Sequence, residues 1–211
     1  GQEEDRWLGW LNLGAIAEPV DKLLKLARDV RRSGVKEVAL HANGGSSLGA
    51  EVLDQVLPGS EDSLPLHVID TTDPAQIRRI SSQFDIESTL FVVSSKSGTT
   101  LEPTLLADYF LGLVRRRLRS GKPGARFVAI TDPGSPLDQL ANSEDFSQVW
   151  YCRPSVGGRF SVLSNVGLVP TAACGIDVSS LVRRAKEMAI NCGRNVPASM
   201  NPGVRLGLTL G

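Results

Sequence analysis

The segment Thr89-Leu-Phe-Val-Val-Ser-Ser-Lys-Ser-Gly-Thr-Thr-Leu-Glu-Pro103 contains the clearest indication of the fold. Residues 89–93 are apolar or β-branched without interruption, which is typical of a strand buried on both faces of a parallel sheet. Hydroxyl side chains, one lysine and one glycine follow. Large apolar or aromatic residues at four-residue spacing then predict a helix: Leu101, Leu105, Tyr109 and Leu113. The segment therefore predicts a buried strand that leads through a short polar loop into a helix.

The polar loop of this segment is suited to bind an anion. The first N–H groups of a helix have no partner within the helix, and the helix dipole adds partial positive charge there. Donor hydroxyls and one full charge come from Ser95, Ser97, Thr99, Thr100 and Lys96. We therefore predict a phosphate site around Gly98. The alternative is an ordinary Ser/Thr-rich turn with a good helix N-cap.

The composition is that of an ordinary globular protein, and the length suffices to bury one full core and part of a second. Of 211 residues, 41% are hydrophobic and 22% charged, and Lys+Arg and Asp+Glu number 23 each. This balance provides no overall field for nucleic acid or anionic lipid, so we predict neither partner. The one basic cluster suits the end of a helix that faces water. It comprises Arg115, Arg116, Arg117 and Arg119.

The cysteines and the apolar stretches limit the class of protein further. Cys152, Cys174 and Cys192 are widely spaced and form no Cys-x-x-Cys pair, so we predict neither a disulfide framework nor a zinc site. No apolar stretch approaches the length of a membrane span, and no positively charged segment leads into an apolar run at the start of these residues. We expect a cytoplasmic protein without membrane contact, metal or cofactor.

Strands alternate with helices up to Tyr151, and this alternation predicts a doubly wound α/β fold. We predict further strands over 37–40, 66–69, 126–130 and 148–151. We predict helices over 18–32, 48–56, 74–83 and 136–141. Together with the strand at 89–93, these elements form a five-stranded parallel sheet in flavodoxin-like order with helices on both faces.

Both ends of the chain depart from the alternation. Two tryptophans, Trp7 and Trp10, predict a short helix lying against the main domain. A buried helix is expected over 162–176 and an amphipathic one over 179–192. We therefore divide the chain into an N-terminal helical extension (1–17), a main domain (18–177), and helices (178–211) that lead into a further half of a longer protein.

A second loop rich in glycine and serine, Asn43-Gly44-Gly45-Ser46-Ser47-Leu48, follows the first predicted strand. In flavodoxin-like order the first and third strands are neighbours, and ligands bind in the crevice outside their carboxyl ends. Gly44 and Gly45 let the backbone approach a phosphate closely, and Ser46 and Ser47 offer hydroxyls. Alone, this loop is equally well explained as a tight turn. Paired with the loop around Gly98, it predicts one phosphate site between two loops.

A dinucleotide site is the competing interpretation of the crevice. Asp70, at the end of the second predicted strand, is then placed to hold a ribose. The glycines at 44, 45 and 49 do not form Gly-x-Gly-x-x-Gly, and Asp70 also suits the turn before a helix. No Walker-type Gly-x-x-x-x-Gly-Lys-Ser/Thr occurs.

Three stretches, 44–49, 94–103 and Gly157-Gly158-Arg159-Phe160-Ser161, together resemble the phosphoglucose isomerases in order and spacing. The resemblance covers nearly the whole chain and is strongest to bacterial isomerases, including those fused behind a transaldolase. It implies the sugar isomerase (SIS) fold, a parallel five-stranded sheet between helices. It also implies an enzyme of sugar metabolism that needs no cofactor and acts as a homodimer in its full length.

By this resemblance the chain takes part in the interconversion of glucose 6-phosphate and fructose 6-phosphate through an enediolate. The residues implied to hold the 6-phosphate are Gly45, Ser46, Ser95, Lys96, Ser97, Gly98, Thr99 and Thr100. Arg159 is the implied catalytic residue, because a guanidinium stays charged and donates to developing negative oxygen. The alternative for Arg159 is a salt-bridged arginine before a buried helix.

The chain departs from the family pattern in two respects. Ala42 and Asn43 stand where the family usually has a glycine and an apolar residue. The resemblance therefore does not predict the backbone path of the first loop. The resemblance also places the proton-transferring glutamate, a histidine and a late lysine in segments beyond Gly211. Glu187 lies on an amphipathic helix facing water, and we interpret both histidines as structural. We expect weak sugar-phosphate binding without turnover; the alternative is a non-catalytic sugar-phosphate sensor.

Overall fold

The computed structural model describes residues 4–12, 19–83, 85–118 and 121–211, which contain five strands and eight α-helices. The strands are β1 Glu37–His41, β2 Leu66–Ile69, β3 Thr89–Ser94, β4 Phe127–Thr131 and β5 Gln148–Tyr151. The helices are α1 Val20–Arg32, α2 Gly45–Val56, α3 Pro74–Ser81, α4 Leu101–Arg117, α5 Pro136–Ser143, α6 Asn165–Ala173, α7 Val178–Asn191 and α8 Pro202–Leu210. Glu18 and Arg119, which the sequence predictions include, lie outside the described residues.

The five strands form one parallel sheet in the order β2-β1-β3-β4-β5. The predicted flavodoxin-like order is thus confirmed. Leu40 of β1 pairs with Val68 of β2 and with Val92 of β3, so β1 and β3 lie side by side at the centre of the sheet. The connections that leave β1 and β3 consequently emerge next to each other at one edge.

Each face of the sheet is covered by its own apolar core, as the uninterrupted apolar run of β3 requires. Leu90 and Val92 contribute to the core that includes α1, α2, α6 and the start of α7. Phe91 and Val93 contribute to the core on the other face, with α4, α5 and partly buried residues of α3. Helices therefore lie on both faces, as predicted.

Two helices, α2 and α6, differ from their predicted bounds by three residues at one or both ends, for identifiable reasons. Helix α2 begins at Gly45 rather than at 48, because Gly44 adopts a positive φ of 59° and turns the chain directly into the helix. Helix α6 is shorter than the predicted helix over 162–176. It begins after Ser164, whose hydroxyl accepts a hydrogen bond from the Val166 N–H, and the chain leaves the helical conformation at Gly175, with φ 82°.

The N-terminal segment forms two short 3-10 helices, Glu4–Trp7 and Gly9–Leu11, rather than one α-helix. Between them, Leu8 forms an antiparallel bridge with Val156, which lies in the loop after β5. The Trp7–Leu11 part thus lies against the main domain, as expected. None of the helices within the described ranges is long and apolar enough to cross a membrane.

Candidate functional site

A cavity of about 370 Å³ opens at the carboxyl ends of β1 and β3, where both predicted loops meet. Asn43 and Ser46 reach it from the connection after β1. Residues 94–97 and Thr100 reach it from the connection after β3. The remaining lining residues are Trp7, Asp132 and Pro154. The structure therefore brings five of the predicted phosphate-binding residues together: Ser46, Ser95, Lys96, Ser97 and Thr100.

The helices that start at this cavity have no side-chain cap. Gly44 is the N-cap of α2 and Thr100 that of α4, and neither makes a side-chain hydrogen bond to its helix. The Leu101 and Glu102 N–H groups of α4 therefore lack the partner that a capping side chain supplies elsewhere. In α2 this holds for the Gly45 N–H, because the Ser46 and Ser47 N–H groups donate to the carbonyl oxygens of Asn43 and Gly44. Together with two helix dipoles directed at one edge, this arrangement favours an anion in the cavity.

The hydroxyl groups of the β3 connection are held by one another. Ser95 Oγ donates to Thr100 Oγ1 at 3.1 Å, and Ser97 Oγ lies 2.8 Å from Thr99 Oγ1. Gly98 closes the turn with a φ of 67°, and a Cβ there would lie 2.8 Å from Leu137 N. Of these described residues, Gly98 and Thr99 do not line the cavity; they shape the turn that presents the others.

Lys96 lies at the rim of the cavity, where three groups hold its ammonium. Nζ donates to the carbonyl oxygens of Pro154 at 2.6 Å and Val156 at 3.0 Å. It also lies 4.7 Å from the centroid of the Trp7 ring. The sequence predicted the charge at this place, but not the carbonyls and the aromatic ring that fix it.

Two buried polar atoms among the cavity-lining residues have no hydrogen-bond partner in the described part of the chain: Ser94 Oγ and Asp132 Oδ1. Burial raises the pKa of Asp132, while the nearby charge of Lys96 acts in the opposite direction. Sequence reasoning missed both residues. The signal for Asp132 was its position directly after β4, the neighbour of β3, at the same edge of the sheet.

Arg159 lines a neighbouring cavity of about 700 Å³ together with Gly45, Gly157 and Gly158. The Lys96 and Trp7 side chains border this cavity as well as the smaller one. Arg159 is exposed and forms no ion pair with any residue in the described ranges, so the salt-bridged alternative has no support there.

Gly45 does not line the smaller cavity but packs against the turn that carries Arg159. A Cβ at Gly45 would lie 2.4 Å from the carbonyl oxygen of Gly158. Only glycine allows this approach, so Gly45 joins the first turn of α2 to the Gly-Gly-Arg turn. This contact fixes the position of the turn that carries Arg159 relative to α2, whose Ser46 lines the smaller cavity.

The other titratable side chains considered from the sequence lie in structural surroundings. His41 is fully buried, with its ring centroid 4.7 Å from that of Phe110, and burial lowers its pKa to about 3. His67 Nε2 lies 2.8 Å from a Glu37 carboxylate oxygen. Glu187 is exposed and pairs with Arg183 one helical turn away.

Asp70 is exposed and is not among the residues that line either cavity. Among the residues that the structure describes, no group of three or more His, Cys, Asp or Glu side chains is placed to hold a metal ion.

The all-parallel sheet and the position of its crevice define the chain as an α/β domain of the SIS type. Tagatose-6-phosphate ketose/aldose isomerase from Escherichia coli shares this fold, with a TM-score of 0.59 at 13% identity over all of this chain and 52% of that one. A sequence model of the phosphoglucose isomerase family matches residues 29–206. The chain therefore belongs to the phosphoglucose isomerase family.

Individual relatives agree with this assignment. The chain is 35% identical to a glucose-6-phosphate isomerase from Gloeothece citriformis over 82% of its own length and 34% of that protein. It is 33% identical to one from Rippkaea orientalis over 92% of its length and 38% of that protein. The chain thus spans about a third of the length of these curated relatives.

Two solved structures are similar at 30% identity. A hypothetical protein from Thermus thermophilus superimposes with a TM-score of 0.83, covering 97% of this chain and 48% of that one. A glucose-6-phosphate isomerase from Chlamydia trachomatis superimposes with a TM-score of 0.65, covering 82% and 32%. The similarity in structure therefore also extends over most of this chain and at most half of the larger proteins.

Proposed function

We propose that this chain is the sugar-phosphate-binding part of an aldose–ketose isomerase that interconverts glucose 6-phosphate and fructose 6-phosphate. The observation that carries the proposal is the cavity of about 370 Å³, which collects hydroxyls and a lysine from the connections after both β1 and β3. Its residues offer donors from two sides, as a phosphate dianion requires.

In this proposal the phosphate enters between the first turns of α2 and α4. The hydroxyls of Ser46, Ser95, Ser97 and Thr100 donate to its oxygens together with early N–H groups of both helices. Lys96 adds a full charge from the rim. Thr99, Gly98 and Gly45 act indirectly, because they hold the backbone in the shape that presents these donors.

We propose that the carbon chain of the sugar extends from the phosphate into the neighbouring cavity, towards Arg159. An enediolate develops negative charge on oxygen, and a guanidinium without an ion-pair partner is free to donate to it. This proposal favours the isomerase over the alternative of a non-catalytic sensor, because a sensor needs the phosphate-binding connections but no arginine beside the reacting carbons.

The proposal assigns the proton transfer to a part of the family that these 211 residues do not include. Under it, residues 1–17 form an extension, 18–177 the sugar-phosphate-binding domain, and 178–211 the helices that lead to a second half. That half supplies the glutamate base, and the full-length protein is a cytoplasmic homodimer. The chain alone then binds its ligand weakly and does not catalyse.

Calorimetric titration of the chain with fructose 6-phosphate, glucose 6-phosphate and fructose tests the proposal. We expect binding of both phosphorylated sugars and none of fructose, because the phosphate provides most of the recognition. Absence of binding at millimolar fructose 6-phosphate, or equal binding of fructose, contradicts the proposed site. A coupled isomerase assay on the same sample is expected to show no turnover, and measurable turnover contradicts the assignment of the base to another segment.

A further inference from the structure

We propose that Trp7 is a positioning residue of the phosphate site, which it serves by holding the Lys96 ammonium between the two cavities. This inference rests on the proposed function, because it concerns how the charge that receives the phosphate is kept in place. No sequence pattern predicted it, since the two residues are far apart in the chain and meet only in the folded structure.

The geometry around the Lys96 ammonium is that of a cation held from several sides. The Trp7 ring centroid lies 4.7 Å from Nζ, within the range in which the negative face of an indole attracts a cation. The carbonyls of Pro154 and Val156 accept hydrogen bonds from the same nitrogen. Both Trp7 and Lys96 line both cavities, so the pair stands at their common boundary.

The segment that carries Trp7 is itself fixed to the loop after β5. The Gly9 N–H donates to the Ser155 carbonyl oxygen at 3.0 Å, next to the Leu8–Val156 bridge. Three residues further along than Trp7, the Trp10 ring stacks on Phe160 at 4.9 Å. These contacts hold the Trp7 ring in front of Lys96, although about half of the Trp7 residue is exposed (48%).

Asp132 explains why Lys96 needs to be held. Its Oδ1 is buried, lines the same cavity as Lys96, and has no hydrogen-bond partner among the described residues. A lysine side chain has four rotatable bonds, so an unrestrained ammonium can turn towards this carboxylate. A Lys96–Asp132 pair would cancel the charge that the phosphate needs. Trp7 and the two carbonyls keep the ammonium at the rim and thus available.

The proposal predicts that phosphate affinity depends on the aromatic ring of residue 7 and not only on the size of its side chain. In calorimetric titrations with inorganic phosphate and with fructose 6-phosphate, Trp7→Leu is expected to weaken both ligands roughly five-fold. Trp7→Phe, which keeps an aromatic face, is expected to stay within about two-fold of the original chain. Leu11→Ala is the matched control, because it shortens an exposed side chain on the same segment. We expect it to leave both affinities unchanged.

A second experiment separates positioning from a purely structural role. If released Lys96 pairs with Asp132, adding Asp132→Asn to Trp7→Leu restores most of the lost phosphate affinity, whereas a packing defect is not restored. Equal affinities of Trp7→Leu and Trp7→Phe overturn the inference, as does failure of Asp132→Asn to rescue. Phosphate binding by the original chain with no difference among the variants overturns this inference alone. Absence of binding to the original chain overturns it together with the proposed function.

Discussion

The connections after β1 and β3 differ from those after β2 and β4, although all four lead from a parallel strand into a helix. After β2, the Asp73 carboxylate accepts hydrogen bonds from two N–H groups of α3, and after β4 the Ser135 hydroxyl accepts one from α5. After β1 and β3, Gly44 and Thr100 make no side-chain cap. Two helix starts therefore have a side-chain cap and two do not, although the Ser46 and Ser47 N–H groups of α2 donate to the backbone carbonyl oxygens of Asn43 and Gly44.

The presence or absence of a side-chain cap indicates where the fold can accept a ligand. A capped helix start satisfies its own donors and contributes to stability, whereas an uncapped one keeps donors available for an anion. The two uncapped starts follow the two adjacent central strands, so their donors point towards one cavity. At this edge of the sheet, the presence or absence of a side-chain cap thus distinguishes structural turns from binding turns.

His41 ends β1 directly before an uncapped connection, and its burial makes the stability of the fold strongly dependent on pH. Its folded-state pKa is about 3, so the unfolded chain takes up a proton near pH 6.5 while the folded chain does not. Stability is therefore lost as the pH falls below 6.5, by about 3 kcal/mol at pH 4.5 from this group. Urea unfolding at pH 7 and pH 4.5 measures this loss.

The matched variant for this prediction is His41→Leu, which removes the titrating group from the same apolar surroundings. Between pH 7 and pH 4.5, we expect the free energy of unfolding to fall less in the variant than in the original chain, by about 3 kcal/mol. A parallel decrease in both proteins would show that the imidazole is not the group responsible.

Gly98 and Gly134 offer a sharper comparison between a binding and a structural connection. Both have a positive φ, of 67° and 74°, but a Cβ at Gly98 would lie 2.8 Å from Leu137 N, whereas nothing lies within 4 Å at Gly134. We expect Gly98→Ala to cost about 3 kcal/mol of unfolding free energy and Gly134→Ala about 1 kcal/mol, from backbone strain alone. Equal losses in thermal unfolding would contradict the close packing at Gly98.

Lys96→Met tests the charge at the uncapped connection. Loss of a charge-assisted interaction with phosphate is expected to weaken fructose 6-phosphate binding roughly 30-fold, or about 2 kcal/mol. Lys122→Met is the control, because Lys122 is exposed and pairs with Asp145 away from the cavity. Calorimetric titration of both variants decides, and an unchanged affinity in Lys96→Met would remove the lysine from the site.

The smallest effects come from exchanging one hydroxyl or carboxylate in each kind of connection. Asp73→Ala is expected to cost about 1 kcal/mol of stability and to leave ligand affinity unchanged, because its partners are helix N–H groups. Ser97→Ala, at an exposed residue that lines the cavity, is expected to weaken fructose 6-phosphate binding about three-fold, with a stability change below about 0.5 kcal/mol. Chemical unfolding measures the stability and calorimetric titration the affinity of each variant. Equal changes of stability and affinity in the two variants would contradict the proposed distinction between capped and uncapped connections.

The fold was predictable from the sequence because its signals are local. The apolar run at 89–93 requires burial on both faces, and turn residues before Pro74 and Pro136 mark helix starts, so strands and helices fall close to their predicted positions. The start of α2 was not predictable, because it depends on the positive φ that Gly44 adopts and on the close contact of Gly45 with Gly158, which is distant in the sequence.

The candidate site was predictable in its residue types but not in its arrangement. Motif spacing placed Lys96 and the surrounding hydroxyls at the crevice, since topology alone brings the connections after β1 and β3 together. Lys96 contacts Trp7, Pro154 and Val156, which are distant from it in the sequence. No local sequence pattern predicts these contacts. The orphan oxygen of Asp132 likewise appears only once β4 is packed beside β3.

The most direct test of one shared phosphate site is an amide chemical-shift titration of the isotope-labelled chain with fructose 6-phosphate. We expect the N–H signals of Gly45, Ser46, Leu101 and Glu102 to move together with one dissociation constant, while those of the capped start at Ala75 and Gln76 stay in place. Shifts confined to only one of the two uncapped connections, or to the exposed arginines at 115–117, would contradict it.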